Sequence, residues 1–417
     1  MREEQTEVLV IGAGPVGLLT AVLLAEAGVG VNIIDLEART TARSYACALY
    51  PRTLKLLEET GLVAGILDRG RQIPTVAFYD GESRRAEVRL SELGGPFPFL
   101  LILPQNAFED ALEQRLRKAG VAVAWNHRFD DFRDEAESVV ATVEELGGTA
   151  TGYIVPHWET VVKKRYPVRA QFMVGADGPA SLVRQRLGIE HTLVAGPEFF
   201  AAYEFESDAK GADEVRVVLD EATTNVLWPL LENKYRWTFQ MIKAEAPMEF
   251  PAKERRAVHF AQKTVDEQIR QYVEQVTKKR APWFSATIKA VTWCTDVVFE
   301  HRMAKGFGRG RCWLAGDAAH QTGPVGVQSM NVGLSEAAAL AGILGKLLRE
   351  KARQSLLQTY NRERQDEWRR LLGLTGGLKT QSDARTWAGE RRARILACLP
   401  GSNEDLTRLA NQLGLGF

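Results

Sequence analysis

Residues 8–35 read VLVIGAGPVGLLTAVLLAEAGVGVNIID. The run opens on four apolar residues, Val8–Ile11, which predict a short strand buried on both faces. Gly12-Ala13-Gly14-Pro15-Val16-Gly17 follows. Leu18–Ala27 is apolar almost all round, the mark of a helix packed inside a fold, and Gly28 ends it. A second strand, Val31–Ile34, closes on Asp35. Strand, glycine turn, helix, strand and acid in this order predict a βαβ unit of the dinucleotide-binding kind. Gly12 permits the tight turn, Gly14 lets backbone approach a pyrophosphate, and Gly17 lets helix and strand pack closely. Pro15 and Val16 begin a helix whose free N–H groups and positive end face the phosphates. Asp35 follows Gly12 by about 20 residues, where a carboxylate can accept ribose hydroxyls.

Outward from this unit, Pro51–Thr60 predicts a helix stopped by Gly61. From Ile73 to Leu103 the period changes to that of antiparallel strands, with Val76–Tyr79 and Glu87–Leu90 as the clearest. The helix Asn106–Lys118 resumes the α/β pattern, and strands at 121–125, 138–144 and 170–175 lead to a second glycine cluster. Residues 199–242 are β-rich, with Glu232-Asn233-Lys234 as a hairpin loop. Thr264–Lys279 predicts an amphipathic helix, Ser285–His301 a long strand, and Leu334–Lys351 and Ser355–Arg370 further helices. The expected class is α/β. A Rossmann-like domain (1–72, 105–189 and 302–372) is interleaved with a β-rich domain (73–104 and 190–301), and a C-terminal helical segment (373–417) follows.

The 417 residues are 45% hydrophobic and 25% charged, ordinary for a globular protein and unlike a disordered chain. Lys+Arg and Asp+Glu both number 53, and this balance argues against nucleic acid as the main partner. Cys47, Cys294, Cys312 and Cys398 form no C-x-x-C pair, which fits a reducing compartment. The start MREEQTEVLVIG lacks a signal-peptide pattern, and the apolar runs Phe97–Leu103 and Ala337–Leu348 are too short to span a bilayer. These features predict a cytoplasmic protein without a membrane partner, either monomer or homodimer. The six histidines show no metal-binding spacing, and G-x-S-x-G is absent.

A further motif lies far along the chain. Gly316-Asp317-Ala318-Ala319-His320 is followed by Pro324-Val325-Gly326-Val327-Gln328-Ser329-Met330-Asn331-Val332-Gly333. A strand end here delivers a carboxylate into a turn, and the Pro/Gly loop can aim several backbone N–H groups at a flat heterocycle carrying negative charge. This motif together with the first resembles those of the para-hydroxybenzoate hydroxylase type, the group A flavoprotein monooxygenases. The resemblance implies FAD, tightly bound without a covalent link. It places Asp317 on the ribityl chain, backbone of Met330 and Asn331 on the flavin ring, and the Pro324–Gly326 loop beside the substrate. Gly175-Ala176-Asp177-Gly178, with Arg184 beyond, resembles the family's Asp-Gly motif and brings Asp177 to FAD and NAD(P)H. A tight turn with a helix cap would give the same residues. Arg43, Gln105 and Phe129 match positions near the phosphates, the flavin chain and the adenine. Leu36 stands where a basic residue often follows the ribose acid. Gly326-Val327-Gln328-Ser329 departs from the family's Gly-Gly-Gln-Gly, and Ser329 would be strained if its position required positive φ. Ser335-Glu336 replaces Gln-Asp.

By resemblance the chain is a monooxygenase that consumes NAD(P)H and O2. It hydroxylates or epoxidises an aromatic or polycyclic small molecule through a flavin C4a-hydroperoxide. A flavin-dependent reductase or dehydrogenase, or a non-catalytic flavin- or ligand-binding protein, are the alternatives. Substrate-pocket candidates are Asn225, Leu227, Trp228, Pro229, Trp237 and Phe239, of which only one strand parity can face the pocket. A phenolic substrate calls for a base or relay, with Tyr203, Tyr235, His259 and His301 as candidates.

Overall fold

Strand β1 (Glu4–Ile11) is buried over its second half, Val8–Ile11, and so needs cover on both faces of its sheet. Helix α1 (Pro15–Glu26) supplies part of that cover, and β2 (Val31–Asp35) returns parallel to β1. The computed structural model describes residues 4–40, 46–151, 157–209, 213–242, 259–374 and 386–415. Along the chain follow α2 (Pro51–Glu59), the hairpin β3 (Thr75–Tyr79) and β4 (Arg84–Arg89), and α3 (Gln105–Lys118). Next come β5 (Val123–Trp125), β6 (His127–Asp134), β7 (Val139–Thr151), β8 (His157–Gly175) and the short α4 (Leu182–Arg186). The strands β9 (His191–Ser207), β10 (Glu214–Leu219), β11 (Thr224–Pro229) and β12 (Lys234–Met241) lead to α5 (His259–Arg280). Finally β13 (Ile288–Ala304), β14 (Cys312–Leu314) and β15 (His320–Gln321) precede α6 (Gln328–Arg349), α7 (Ser355–Leu371), α8 (Arg392–Cys398) and α9 (Asn403–Gln412).

The first sheet has the parallel order β14-β8-β1-β2-β5, and β7 and β6 extend from β8 as an antiparallel ribbon. Most of β8 before residue 170 escapes the sequence pattern, because its charged residues alternate with little apolar signal. Backbone pairing forms it instead. The buried Glu144 of β7 fastens it by accepting from Arg128 Nε at 2.8 Å and Arg165 Nε at 2.9 Å.

The second sheet runs β15-β13-β9-β12-β11-β10-β3-β4. The chain enters it twice, at 75–89 and at 191–321, so the two sheets are interleaved in sequence. An expected boundary at 302 falls inside β13. One face of this sheet packs Phe205, Leu227, Tyr235, Trp237 and Phe239 against Ile269 and Val273 of α5. The opposite face packs Phe200, Val226 and Trp228 with Tyr50, Val325, Ile395, Leu399 and Leu409. Helices α8 and α9 are tied down there. Arg394 donates to Asp220 O at 2.8 Å and Thr224 Oγ1 at 3.1 Å, and Gln412 bonds both backbone groups of Arg89. Helix α6 extends past the apolar run read from sequence. Among the described residues it is the one helix long and apolar enough to cross a membrane. Half of that window is buried in the fold.

Candidate functional site

A cleft of about 500 Å³ opens where β1, β8 and β14 end. Its walls are the start of α1, the turn Ala176–Pro179, Asp317, the segment Gln321–Pro324, the start of α6, and Val297–Phe299 of β13. The glycines of the first motif have three different surroundings. Gly12 has φ +101°, and a Cβ there would lie 2.3 Å from the Ala176 carbonyl oxygen. A Cβ on Gly17 would lie 1.9 Å from the Gly12 carbonyl oxygen. At Gly14 a Cβ would meet nothing within 4 Å, and the residue faces the cleft. Neither α1 nor α6 has a side-chain cap at its N-terminus. The N–H groups of a first helical turn have no acceptor within the helix, so two positively polarised helix ends open on one cavity.

On the α1 side, Asp35 accepts from Ala13 N at 2.5 Å and Glu37 N at 2.7 Å, one bond on each oxygen. Each oxygen keeps a further lone pair for a hydroxyl. Leu36 is 55% exposed, and Arg43 lies outside the described residues. Gln105 lines the cleft at the start of α3, its Oε1 accepting from Ala46 N at 3.3 Å. Phe129 turns its ring into the core beside Phe132, which leaves only its backbone for a ligand. The Asp177 carboxylate accepts from Ser181 Oγ at 2.6 Å, Leu182 N at 2.8 Å and Val183 N at 3.1 Å. It therefore caps α4 instead of reaching into the cleft, and burial pushes its pKa up against these hydrogen bonds. Its neighbours Ala176, Gly178 and Pro179 form the wall. Arg184, almost fully buried, donates to Ala318 O at 2.7 Å and Pro179 O at 3.0 Å, tying the two acidic turns together.

Asp317 lies in the short turn Gly316–Ala318 and faces the cleft. Burial pushes its pKa up, opposed by His320 and the Ser329 hydroxyl. Fully buried Glu336 holds this turn. Its Oε2 accepts from Gly316 N at 2.8 Å and meets His320 Nε2 at 2.8 Å, while its Oε1 accepts from Trp368 Nε1 at 2.7 Å. The His320 ring stacks on Trp368 with centroids 3.7 Å apart. Pro324 and Met330 line the cleft, but Gly326 packs on α8, where a Cβ would lie 2.2 Å from Ala397 O. The Tyr50 hydroxyl donates to the Gly326 carbonyl. The Asn331 side chain points inward. Its Oδ1 accepts from Tyr50 N at 2.9 Å and Thr53 Oγ1 at 2.8 Å, and its Nδ2 donates to Ala48 O and Val327 O, both at 2.9 Å. It clamps α2 to α6 and leaves only backbone for a ligand. The residue with positive φ is Val327 (+55°), not Ser329, which already lies in α6. A β-branched residue in that region is strained. Thr322 Oγ1, buried in the cleft wall, has no partner among the described residues and is a free hydrogen-bonding group.

The substrate-side expectation needs correction. Leu227, Trp237 and Phe239 lie on the α5 face, away from the cleft. Asn225 faces the same way, its Oδ1 accepting from Arg280 Nη1 at 2.7 Å, and Pro229 shares its parity. Trp228 alone of the six turns to the opposite face. The amphipathic α5 needs an apolar surface to cover, and the aromatic-rich parity provides it. The wall that borders the cleft comes instead from Val297–Phe299, with Phe200 edge-to-face on Phe299. Tyr203 and Tyr235 are also on the α5 side, and the side chain of His259 lies outside the described residues. His301 lies beside Gly323 of the cleft wall without lining the cleft itself. Tyr50, Thr322 and Glu198 escaped sequence reasoning because no motif marks them.

Residues 5–374 match the family described as FAD binding domain. The chain is 29% identical over 374 residues to 6-methylpretetramide 4-monooxygenase of Streptomyces rimosus, covering 88% of this chain and 61% of that protein. It is 30% identical over 363 residues to an uncharacterized aromatic compound monooxygenase of Bacillus subtilis, covering 86% and 65%. It thus spans less than two thirds of the length of these two relatives. The crystal structure of p-nitrophenol 4-monooxygenase from Pseudomonas putida shares the fold, with a TM-score of 0.74 at 23% identity, over 98% of this chain and 94% of that one. The chain belongs to this FAD-binding family. The residues fit the cofactor: two uncapped helix ends for its anionic parts, open space at Gly14, and Asp317 and Thr322 for its hydroxyls and polar edge.

Proposed function

We propose, from that membership, that this chain is an FAD-dependent monooxygenase that uses NAD(P)H and O2 to hydroxylate or epoxidise an aromatic or polycyclic small molecule. The observation that carries this reading is the single cleft onto which the ends of α1 and α6 and the Asp317 carboxylate all open, with an apolar strand as its far wall. Bound FAD supplies the redox chemistry, taking hydride from NAD(P)H and activating O2 for transfer of one oxygen atom to a substrate carbon. The chain's own residues position and shield. First-turn N–H groups of α1 hold the diphosphate, and Asp35 holds a ribose hydroxyl. Asp317 accepts from the ribityl chain, and backbone N–H groups at Ser329 and Met330 face the polar edge of the ring. Val297–Phe299 exclude water from the side where substrate enters, which limits loss of reducing equivalents as peroxide. The absence of a disulfide among the four cysteines supports a cytoplasmic location.

The test is purified protein, supplied with FAD, NAD(P)H and a panel of aromatic compounds in air. Substrate-stimulated NAD(P)H oxidation with a product heavier by one oxygen is expected. A protein that takes up no FAD, or that oxidises NAD(P)H without ever oxygenating a compound, overturns the proposal.

A further inference from the structure

Among the described residues, six that are not glycine have positive φ: Asn126, Glu232, Asn233, Val327, Lys351 and Asn403. Five are polar and lie in turns or at the ends of elements. Val327 alone is β-branched, and it is buried, with 6% of its surface exposed. Its backbone stands at φ +55° and ψ +29° at the head of α6. Glycine adopts this conformation without cost, whereas a branched Cβ strains it. Four contacts keep the strain from relaxing. Val327 N donates to Pro324 O at 3.3 Å, and Val327 O accepts from Asn331 Nδ2 at 2.9 Å. The Gly326 carbonyl accepts from the Tyr50 hydroxyl, and Gln328 Nε2 donates to Leu396 O of α8 at 3.4 Å. Strain held in place by its surroundings marks points where a group is needed in one position. Val327 lines the cleft together with Met330 and Phe299. It also belongs to the closed apolar cluster of Phe200 and Trp228 from the second sheet and Ile395 and Leu399 behind the loop, against which Met330 and Phe299 pack. Its isopropyl group therefore stands between the cleft and that interior.

We infer that Val327 sets the depth of the substrate space, and that the substrate of the proposed monooxygenase carries a single aromatic ring. This rests on the monooxygenase reading and narrows it. The cleft of about 500 Å³ is in the lower half of the usual range for a pocket that takes one ligand, and it has part of FAD to hold as well. A flat ring enters between Val297–Phe299 and the cofactor. The Val327 methyl groups stop it where a second fused ring would have to lie, and the pinned backbone keeps this wall from withdrawing. Burial of a valine side chain and strain of its backbone are similar in size and opposite in sign. Stability alone therefore gives little reason for valine at this point, whereas the shape of the cleft does.

The experiment measures binding of phenol and of 2-naphthol to the FAD-loaded protein, read from the change in flavin absorbance. In an unobstructed apolar site 2-naphthol binds more tightly, because it buries more apolar surface. The wild type should instead prefer phenol by about tenfold or more, since one carbon too many in an apolar pocket costs about 10- to 200-fold. Val327→Gly should turn the preference toward 2-naphthol, a change in the ratio of about a hundredfold. Val327→Ala should move it the same way by less. A valine with only a structural role would shift the melting temperature of the flavin-free protein and leave the ratio as it was. FAD content reports whether each variant keeps its loop, and the wild-type preference with Val327→Ala decides the matter if Val327→Gly does not. Tighter binding of 2-naphthol by the wild type, a ratio unchanged in both variants, or binding of neither compound overturns the inference, and oxygenation of any aromatic compound then leaves the monooxygenase standing. A preference for phenol that relaxes in the variants, with no oxygenated product from any aromatic compound, fells the monooxygenase reading and leaves Val327 as the wall.

Discussion

Replacing Gly14 and Gly17 by alanine, one at a time, separates cofactor approach from folding. Gly14 has φ −70° and ψ −178°, a conformation alanine adopts freely, and its added Cβ meets nothing within 4 Å. The flavin-free protein should fold as before, and even gain about 0.4–1 kcal/mol from the reduced freedom of the unfolded chain. The same methyl group stands in the cleft where the diphosphate must approach the N–H groups of α1. FAD affinity should therefore fall by at least about tenfold, about 1.4 kcal/mol. At Gly17 the Cβ would sit 1.9 Å from a backbone oxygen and 3.4 Å from Ala176 Cβ. Unstrained heavy-atom contact needs about 3.5 Å, so the helix or the turn must move by more than an ångström. The cost is about 1–3 kcal/mol or more, and FAD binding falls as a consequence. Thermal unfolding of the flavin-free proteins gives the first quantity, and quenching of flavin fluorescence on titration gives the second. A Gly14→Ala protein that binds FAD like its parent removes the diphosphate from this turn. A Gly17→Ala protein as stable as its parent removes the packing argument.

Asp317→Asn replaces a carboxyl that burial holds above its usual 3.8. The folded wild type binds that proton more readily than the unfolded chain, so its stability falls as pH rises from about 3.8 through the raised value. The flavin-free variant should lose this fall and melt higher at neutral pH, while FAD binds about ten- to a hundredfold more weakly for want of a charge-assisted hydrogen bond. Higher melting without weaker binding would remove Asp317 from the cofactor. Asn331→Ala strands Tyr50 N, Thr53 Oγ1, Ala48 O and Val327 O in the core. It should cost about 3 kcal/mol or more in urea unfolding of the flavin-free protein, and a loss below about 1 kcal/mol would show that the clamp is dispensable. Burial, aided by Arg184 and Arg302, lowers the His191 pKa from 6.5 to about 4. The unfolded chain takes this proton first, so stability should drop as pH falls through that window. His191→Asn should flatten the drop in melting temperature against pH, and an unchanged slope would assign it to other groups.

The motifs and the fold were legible for different reasons than the cavity wall was not. Gly12 and Gly17 can be read from sequence because a tight turn and a close packing each exclude a side chain for local reasons, whereas at Gly14 only an approaching ligand would exclude one. Asp177 shows the limit: its spacing suits a ligand and a helix cap equally, and the three hydrogen bonds to α4 choose the cap. Asn331 sits in the flavin motif, yet its side chain belongs to a contact with residues 48–53. Ser329 looked like the strained position because a family glycine is missing there, whereas the backbone turns left-handed two residues earlier, at Val327.

From sequence alone follow the βαβ unit, the interleaving of two sheets and the Asp317 turn, which depend on periodicity or on short spacings, whereas FAD as the cofactor follows only from the resemblance of the two motifs to a known family. Only the tertiary structure decides which parity of β11 and β12 faces the cleft, because alternation in a strand is symmetric until a partner such as α5 covers one side. It alone also brings Glu198 to His301, 103 residues apart along the chain, since two neighbouring antiparallel strands can hold such a pair on one face without any trace in local sequence.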